Sequence, residues 1–292
     1  MQVVCQWFFL FILYSVIGWV METVLCSIIQ REFAQRGFLN GPLCPIYGFG
    51  ALFVLWLLHP FAGSILHVFF LGMIITTVLE YLTSYVMEKL FHMRWWDYSQ
   101  FKIQINGRVC LVNSLLFGLL SVVLMEYLHP MLLRLVGLFS PAALVAVSGI
   151  LFLAFAADTV LSVSAALKLS ERLQNLRDLE EELKLRVKAD LEEKKREVGQ
   201  RIAGQHAEFG EKKKAMEEKL ARKGERLEGL LREKREQSKR SAAELRDRIH
   251  ALQAAQGFGE RRLLRSFPHM KSASYDEAIG KLKDYQEKAR KK

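Results

Sequence analysis

Five apolar segments, separated by short polar stretches, dominate the first 167 residues of this sequence. They lie at about 7–29, 43–58, 65–87, 109–128 and 143–166. A helix that crosses a bilayer needs roughly 20 mostly apolar residues. The pattern therefore predicts an all-α, polytopic membrane domain at residues 1–167 with about five transmembrane helices. The second segment is the shortest, and the prolines and glycines at its start predict first turns that are irregular or partly re-entrant.

A different periodicity follows, with apolar residues at three- and four-residue steps and no proline between Lys168 and Gln256. The stripe consists of Leu169, Leu173, Leu176, Leu179, Leu183, Val187 and Leu191. This spacing predicts an amphipathic helix that continues from the fifth segment. Beyond Val198 the stripe is thinner, slips in register and is weakened by glycines. We still predict a cytoplasmic amphipathic helix or coiled coil at 168–256 that joins protomers into a homo-oligomer.

Two glycines after Gln256 end this pattern and begin a third, basic segment at residues 257–292. Its first part, 260–267 (ERRLLRSF), combines basic and apolar side chains and could rest on anionic lipid. Ser274 and Glu277 have the spacing of a capping box, which predicts one last short helix.

Charge divides the chain in the same way as hydropathy. The net charge is +10, but residues 1–167 carry seven basic and seven acidic residues, so the whole excess lies in the tail. The first and third loops are also rich in basic residues, whereas the fourth has only Arg134 and the second has none. Basic loops favour the cytoplasmic side, which predicts a bacterial plasma-membrane protein with its N-terminus outside and its tail in the cytoplasm. Basic helices can bind nucleic acid, but no recognised fold for that is present, so no such partner is expected.

In this orientation the acidic residues of the spans gather near the cytoplasmic face. Glu80, Ser84 and Glu88 recur every four residues and so share one face of the third helix. A carboxylate within a bilayer costs roughly 2.5–3.5 kcal/mol and normally faces a partner or a wet cavity. The available partners are Arg36, Arg94, Arg108, Asn40, Asn106 and Asn113.

These residues predict a polar cluster or substrate path on the inner side. The alternative is that the carboxylates only form hydrogen bonds between helices. The candidate residues are Glu22, Arg36, Asn40, Cys44, Tyr47, Glu80, Tyr81, Ser84, Glu88, Arg94, Trp95, Trp96, Asp97, Tyr98, Asn106, Arg108 and Asp158.

Some of these motifs have a second interpretation. The run Trp95–Tyr98 could be an interfacial aromatic belt, and Arg94 and Arg108 could hold a lipid phosphate or a carboxylate. Cys44 lies between two prolines, but a nucleophilic role needs a nearby base, and His59, like its neighbour in sequence His67, falls on the outer side. The four cysteines lack zinc-like spacing, so neither a metal nor a cofactor is expected. No GxxxxGK[ST] loop is present, so the chain does not hydrolyse ATP by that route.

The first two helix pairs carry a faint internal echo. Glu22 and Arg36 are 14 residues apart, as are Glu80 and Arg94. The form NGxxC follows in each pair, and a His-Pro dipeptide closes each following span. A true repeat would make spans one to four two parallel hairpins, a plan known in transporters. Chance matches of this length are the alternative.

Long motifs of the first half resemble those of a known family. They are GWVMET (18–23), RGFLNGPLCPIYGFG (36–50), LEYLTSYVMEKLFHMRWWDYS (79–99) and INGRVCLVNSLLFG (105–118). On these motifs, residues of about 7–165 resemble the bacterial CmpB-like permeases, the ABC-transporter type IV family. The resemblance implies a permease that borrows a separate ATPase subunit, and its motifs include most of the candidate residues. The tail lies outside the resemblance.

Three functions remain open from the sequence. The first is a transport permease subunit of unknown substrate, with the polar cluster as its inner gate or binding site. The second is a non-catalytic membrane scaffold that works through the cytoplasmic coiled coil. The third is an inner-leaflet lipid-modifying enzyme, with carboxylates as acid–base groups and arginines as phosphate holders. Because no HxxxD-like or metal-ligand constellation is present, the sequence favours a non-catalytic role.

Overall fold

The computed structural model of this chain is built mainly of helices and describes residues 2–31, 33–207, 236–237 and 239–290. The helices are α1 (Gln2–Gln30), α2 (Pro45–Leu58), α3 (Ile65–Phe91), α4 (Leu111–Val123), α5 (His129–Val136), α6 (Pro141–Ala207), α7 (239–254), α8 (Phe258–Ser266) and α9 (Asp276–Arg290). Between α3 and α4, strands β1 (Gln104–Ile105) and β2 (Val109–Cys110) form a short antiparallel hairpin that pairs Gln104 with Cys110.

Four helical stretches of the described residues are long and apolar enough to cross a membrane. They are Gln2–Ile29, Ile65–Phe91, Leu111–Val136 and Pro141–Glu197. The predicted all-α, polytopic membrane protein is thereby confirmed. A shorter apolar helix, Pro45–Phe61, consists of α2 and the 3₁₀ turn that follows it. At 1.5 Å per residue it is about 25 Å long, less than the roughly 30 Å hydrocarbon core, so the count of five spans stays a prediction.

The fourth predicted span continues further than the sequence indicates. The expectation that His129–Pro130 closes it is wrong, because α4 runs through a π-helical turn, Leu124–Leu128, into α5. Proline lacks an N–H and its ring crowds the preceding helical turn. A wide π turn directly before Pro130 provides the room that this ring needs.

The start of α2 is regular from Pro45 onward. Cys44, directly before it, is extended, and Pro45 occupies the first turn of the helix. Proline suits that position because the N–H that it lacks would have no partner within the helix. The irregular backbone predicted for this segment is therefore confined to the loop that precedes Pro45.

Close packing of small residues brings α3 and α4 together. A Cβ added to Gly118 would lie 2.9 Å from the carbonyl oxygen of Phe69, and one on Gly72 would lie 2.5 Å from the Cβ of Ser121. Small residues let helix backbones approach closely in membranes, where packing rather than hydrophobicity drives association. The apolar core beside this contact draws on α1, α2, α3, α5 and α6 through Leu10, Val54, Val68, Leu132 and Leu144.

The chain forms two compact units. The first comprises Met1–Glu171 together with Gly257–Lys292, and the second is Arg172–Gln256. The second unit pairs the outgoing half of α6 with the returning α7, because the Arg172 guanidinium donates to the carbonyls of Leu252 (2.7 Å) and Ala255 (2.9 Å).

The leucine stripe of the tail is helical, as predicted, where the structure describes it. α6 is continuous from Pro141 to Ala207. Leu173 and Leu176 are fully buried, and so nearly are Leu245 and Ile249 of α7. Most of the thinner stripe lies at 208–235, outside the described residues. A homo-oligomer through the tail stays a prediction.

We expect Gly118→Ala to lower the free energy of unfolding by about 1–3 kcal/mol, the usual cost of overpacking. The added methyl group would meet a backbone oxygen, which cannot move aside as a flexible side chain can. The measurement is the midpoint of thermal unfolding in mild detergent. Gly149→Ala is the matched control, because a Cβ there meets nothing within 4 Å. An equal response of both variants would contradict the close contact.

Candidate functional site

The first loop folds around an ion pair between Arg36 and Glu22. The Arg36 Nε donates to Glu22 Oε1 at 3.1 Å, and Trp19 Nε1 donates to the Arg36 carbonyl at 3.0 Å. The second oxygen of Glu22 lies 3.8 Å from the Sγ of Cys44. Burial and the Glu22 charge both raise the pKa of the Cys44 thiol. A nucleophile needs the opposite shift, so this surrounding does not activate Cys44.

Asp158 attaches the same loop to α6. Its Oδ1 accepts the backbone N–H of Asn40 (2.9 Å) and the Asn40 side-chain amide (2.9 Å), and its Oδ2 accepts the N–H of Gly41 (2.8 Å). The Ser162 hydroxyl also lies 3.3 Å from Oδ1. Both oxygens of this carboxylate are therefore occupied, and its observed task is to position the loop.

A second ion-pair network holds the third loop against α3. Glu88 Oε2 accepts from Arg94 Nε at 2.8 Å and from Arg108 Nη2 at 2.5 Å. Arg108 also donates to the Ser84 hydroxyl at 3.2 Å, and its guanidinium lies over the Tyr81 ring, 5.6 Å from the centroid. Arg108 thus stands over the face of α3 that carries Ser84 and Glu88.

Asn106 completes this network from the hairpin. The carbonyl of Asn106 accepts from Arg94 Nη1 at 2.9 Å, and its side-chain amide donates to the Tyr81 hydroxyl at 3.1 Å. Arg94 is therefore paired with Glu88, although Glu80 is the acid at the repeated spacing of 14 residues. The echo in sequence does not extend to equivalent contacts.

Glu80 lies in the middle of α3, about 16 Å from the helix end at Phe91. It is only 5% exposed, and its Oε1 accepts a hydrogen bond from the Tyr98 hydroxyl at 3.1 Å. Asn113 Nδ2 donates to the same hydroxyl at 2.6 Å. Its Oε2 is buried and has no hydrogen-bond partner in the part of the chain that the structure describes. Burial, and then the Glu80 charge, raise the pKa of Tyr98, so the phenol keeps its proton.

The run Trp95–Tyr98 is a folded loop with its own partners. Trp95 is 2% exposed, which is incompatible with a lipid-facing belt at that residue. Trp96 Nε1 donates to the Arg108 carbonyl at 2.9 Å, and the Tyr98 N–H donates to the Gly107 carbonyl at 2.8 Å. These bonds fold the loop back along α3, which is how Tyr98 reaches Glu80.

Asp97 is the buried acid of this loop. Its Oδ2 accepts from the Ser99 hydroxyl and from Lys271 Nζ, both at 2.6 Å. Burial acts to raise the pKa of Asp97, but the hydrogen bonds from Lys271 and Ser99 outweigh it, so the net shift is downward. Gly107 has φ +69, and a Cβ there would lie 2.5 Å from Asp97 Oδ1. Only glycine fits beside this carboxylate.

Tyr47 lies apart from the ion pairs, against α1. A Cβ on Gly18 would overlap its ring, at 2.3 Å from Cγ. Of the candidate residues, the structure thus joins Glu22 with Arg36 and Cys44, Asn40 with Asp158, Glu88 with Arg94 and Arg108, and Glu80 with Tyr98. No group of three or more His, Cys, Asp or Glu side chains in the described residues could hold a metal ion.

Sequence reasoning missed the contribution of the C-terminal segment, residues 257–290. Arg262, Ser266 and Lys271 all contact the first or third loop. Leu263, Leu264 and Phe267 are buried in the protein rather than free to rest on lipid. Their alternation with basic residues signals an amphipathic surface, but it does not say which surface covers it.

The comparisons with known proteins address the first half of the chain. Residues 9–163, more than half of the chain, match the model of the family described as "Putative ABC-transporter type IV". The chain belongs to this family. The matched part of this type IV family member contains every candidate residue named above, and the C-terminal segment lies outside it. No curated protein and no solved structure matches the chain.

We expect Arg108→Met to lower the free energy of unfolding by about 2–4 kcal/mol, because Glu88 then keeps only the more exposed Arg94 as a partner. Thermal unfolding in mild detergent measures the change. The control is Arg186→Met, which removes an exposed i,i+4 pair with Glu182 and should cost about 0–1 kcal/mol. Equal shifts would mean that the Glu88 network contributes no more than a surface pair.

Asp97 should make the docking of the C-terminal segment sensitive to acid. Its folded pKa lies below its unfolded one, so its stabilising effect is full above the unfolded pKa of about 3.9 and disappears as the pH falls through the folded pKa. The thermal midpoint of the wild type should therefore fall more steeply below about pH 4 than that of Asp97→Asn. Parallel curves would show that the Asp97–Lys271 pair contributes nothing.

Proposed function

We propose that this chain is the membrane-spanning permease subunit of a transporter and that Glu80 lies on its substrate path. Membership of the type IV family supports the first part. The second part depends on one observation, the buried Glu80 carboxyl group whose Oε2 has no partner among the described residues. An ionisable group inside a membrane is costly, and such groups mark substrate paths, ion paths or proton relays.

The surroundings of Glu80 differ from those of the other acids. Glu22, Glu88 and Asp97 each have a basic partner within 3.1 Å. Glu80 has no ion pair in the described part of the chain, and Tyr98 supplies a neutral donor to one oxygen only. That geometry suits a ligand that brings a positive charge or an N–H or O–H donor to Oε2.

The chain requires a partner for energy if it is a permease of this kind. Its sequence lacks a GxxxxGK[ST] loop, so nucleotide hydrolysis would come from a separate ATPase subunit. In the proposed orientation the basic loops and the tail face the cytoplasm, where nucleotide is available. The ion-paired loops at 31–44 and 92–110 are then the inner face of the subunit.

The carboxylate site can be tested with cations as probes. The full-length chain in mild detergent is heated in sodium, potassium, ammonium and choline chlorides at equal ionic strength. We expect at least one cation to raise the unfolding midpoint of the wild type, and Glu80→Gln to lose that shift, because the amide keeps the shape of the side chain without its charge. Glu126→Gln, at an exposed position, should keep it. If Glu80→Gln responds to all four salts as the wild type does, the cation site is wrong.

A membrane scaffold is the second candidate, and the tail favours it. α6 extends through 67 residues, roughly 100 Å, far more than one span needs. Affinity purification of the full-length chain separates the two functions. A co-purified ATPase subunit that restores nucleotide hydrolysis supports the permease. A stable complex that lacks an ATPase and is lost when residues 174–254 are deleted supports the scaffold.

A further inference from the structure

Arg262 of the C-terminal segment is inserted into the first loop as a buried cation. Its Nε donates to Asn40 Oδ1 at 3.0 Å, its Nη1 to the Gly37 carbonyl at 3.0 Å and its Nη2 to the Phe38 carbonyl at 2.5 Å. The residue is 6% exposed. Three directed bonds from one guanidinium recognise a fixed arrangement of acceptors, which a lysine could not do.

Phe267 and Ser266 form a second anchor one turn further along. The Phe267 ring packs edge-on against Trp95 at 4.9 Å between centroids, and the Arg36 guanidinium lies 5.6 Å from the same ring. The Ser266 carbonyl accepts from Arg36 Nη1, and its hydroxyl donates to the Gln35 carbonyl at 2.9 Å. This anchor therefore contacts both loops at once.

Lys271 forms a third anchor through the backbone. It exchanges two hydrogen bonds with Arg94, from Arg94 N–H at 2.7 Å and to the Arg94 carbonyl at 2.9 Å, while its side chain pairs with Asp97. Ser272 adds a bond from its hydroxyl to the His92 carbonyl at 2.7 Å. Pairing of this kind is the way in which extended peptides are captured by an exposed strand edge.

The Arg262 anchor leads directly to the Glu22 cluster. The Gly37 carbonyl that Arg262 holds belongs to a residue with φ +96, and a Cβ there would lie 3.0 Å from Cys44 Sγ. Gly37 thus covers the thiol, which is 3% exposed and 3.8 Å from Glu22. The Arg36 side chain of the same cluster is held on its other side by Ser266 and Phe267.

We propose that the loop face formed by residues 35–40 and 92–97 is an interaction surface for the chain's own C-terminal segment, and that docking closes the Glu22–Arg36–Cys44 cluster. Release of the segment would remove the bonds on Gly37 and Arg36 and open the cluster. The segment lies outside the part that the family model matches, so it is an addition placed on the family's loops. This inference does not depend on the ligand proposed for Glu80.

The native Cys44 thiol reports on this closure without any engineered label site. The full-length chain in mild detergent is treated with N-ethylmaleimide, and peptide mass spectrometry follows the modification of Cys44 alone. Hydrogen exchange at the Arg94 and Lys271 amides reports in parallel whether the segment is docked. The test variant is Arg262→Ala/Phe267→Ala, and the control is Arg261→Ala/Arg265→Ala, which changes two exposed arginines of the same helix.

We expect the test variant to accelerate both Cys44 labelling and amide exchange by roughly tenfold or more, because both rates follow the open fraction. The control should label like the wild type. Arg262→Lys should give an intermediate rate, since lysine keeps the charge but not the three bonds, and it guards against a variant that fails to fold. Fast exchange with unchanged Cys44 labelling would overturn the closure. Slow exchange in the test variant would overturn the assignment of Arg262 and Phe267 as anchors.

Discussion

Charges near the hydrocarbon region need partners, and the loops of this protein are folded by that requirement. Removing one member of a buried pair leaves an uncompensated charge, which costs far more than the intact pair contributes. Arg36 therefore fixes the first loop to α1 through Glu22, and Arg94 and Arg108 fix the third loop to α3 through Glu88. Asp158 does the same with backbone N–H groups instead of a cation.

Glu80 stands out because it escapes this rule. The third loop folds back far enough for Tyr98 to reach it, yet the contact satisfies only one carboxylate oxygen. A protein that pairs its other inner acids carefully and leaves this one incomplete maintains a costly group for a reason other than folding. That contrast, rather than the number of polar residues, directs the functional proposal to Glu80.

The sequence was informative where the physics is local. Hydropathy located the spans, and the common depth of Glu22, Glu88 and the loop arginines predicted that they would find one another. Spacing along the chain could not say that Arg94 chooses Glu88 over Glu80, because the choice depends on how the hairpin places Asn106 and Arg108. The His-Pro dipeptide was read as a stop because nothing local announces a π turn. Arg262 was beyond reach for a simpler reason, since its acceptors are distant in sequence.

That distance has a consequence for the synthesis of the protein. Asn40 and Arg262 are separated by 222 residues, and a ribosome that adds about 5–20 residues per second takes roughly 10–45 s to cover them. The first loop must therefore emerge, and α1 and α2 must enter the membrane, long before the arginine that covers the loop exists. During that interval Arg36 has Glu22 but not Ser266, so the nascent chain passes through a stage in which its inner face is complete in sequence and still uncovered.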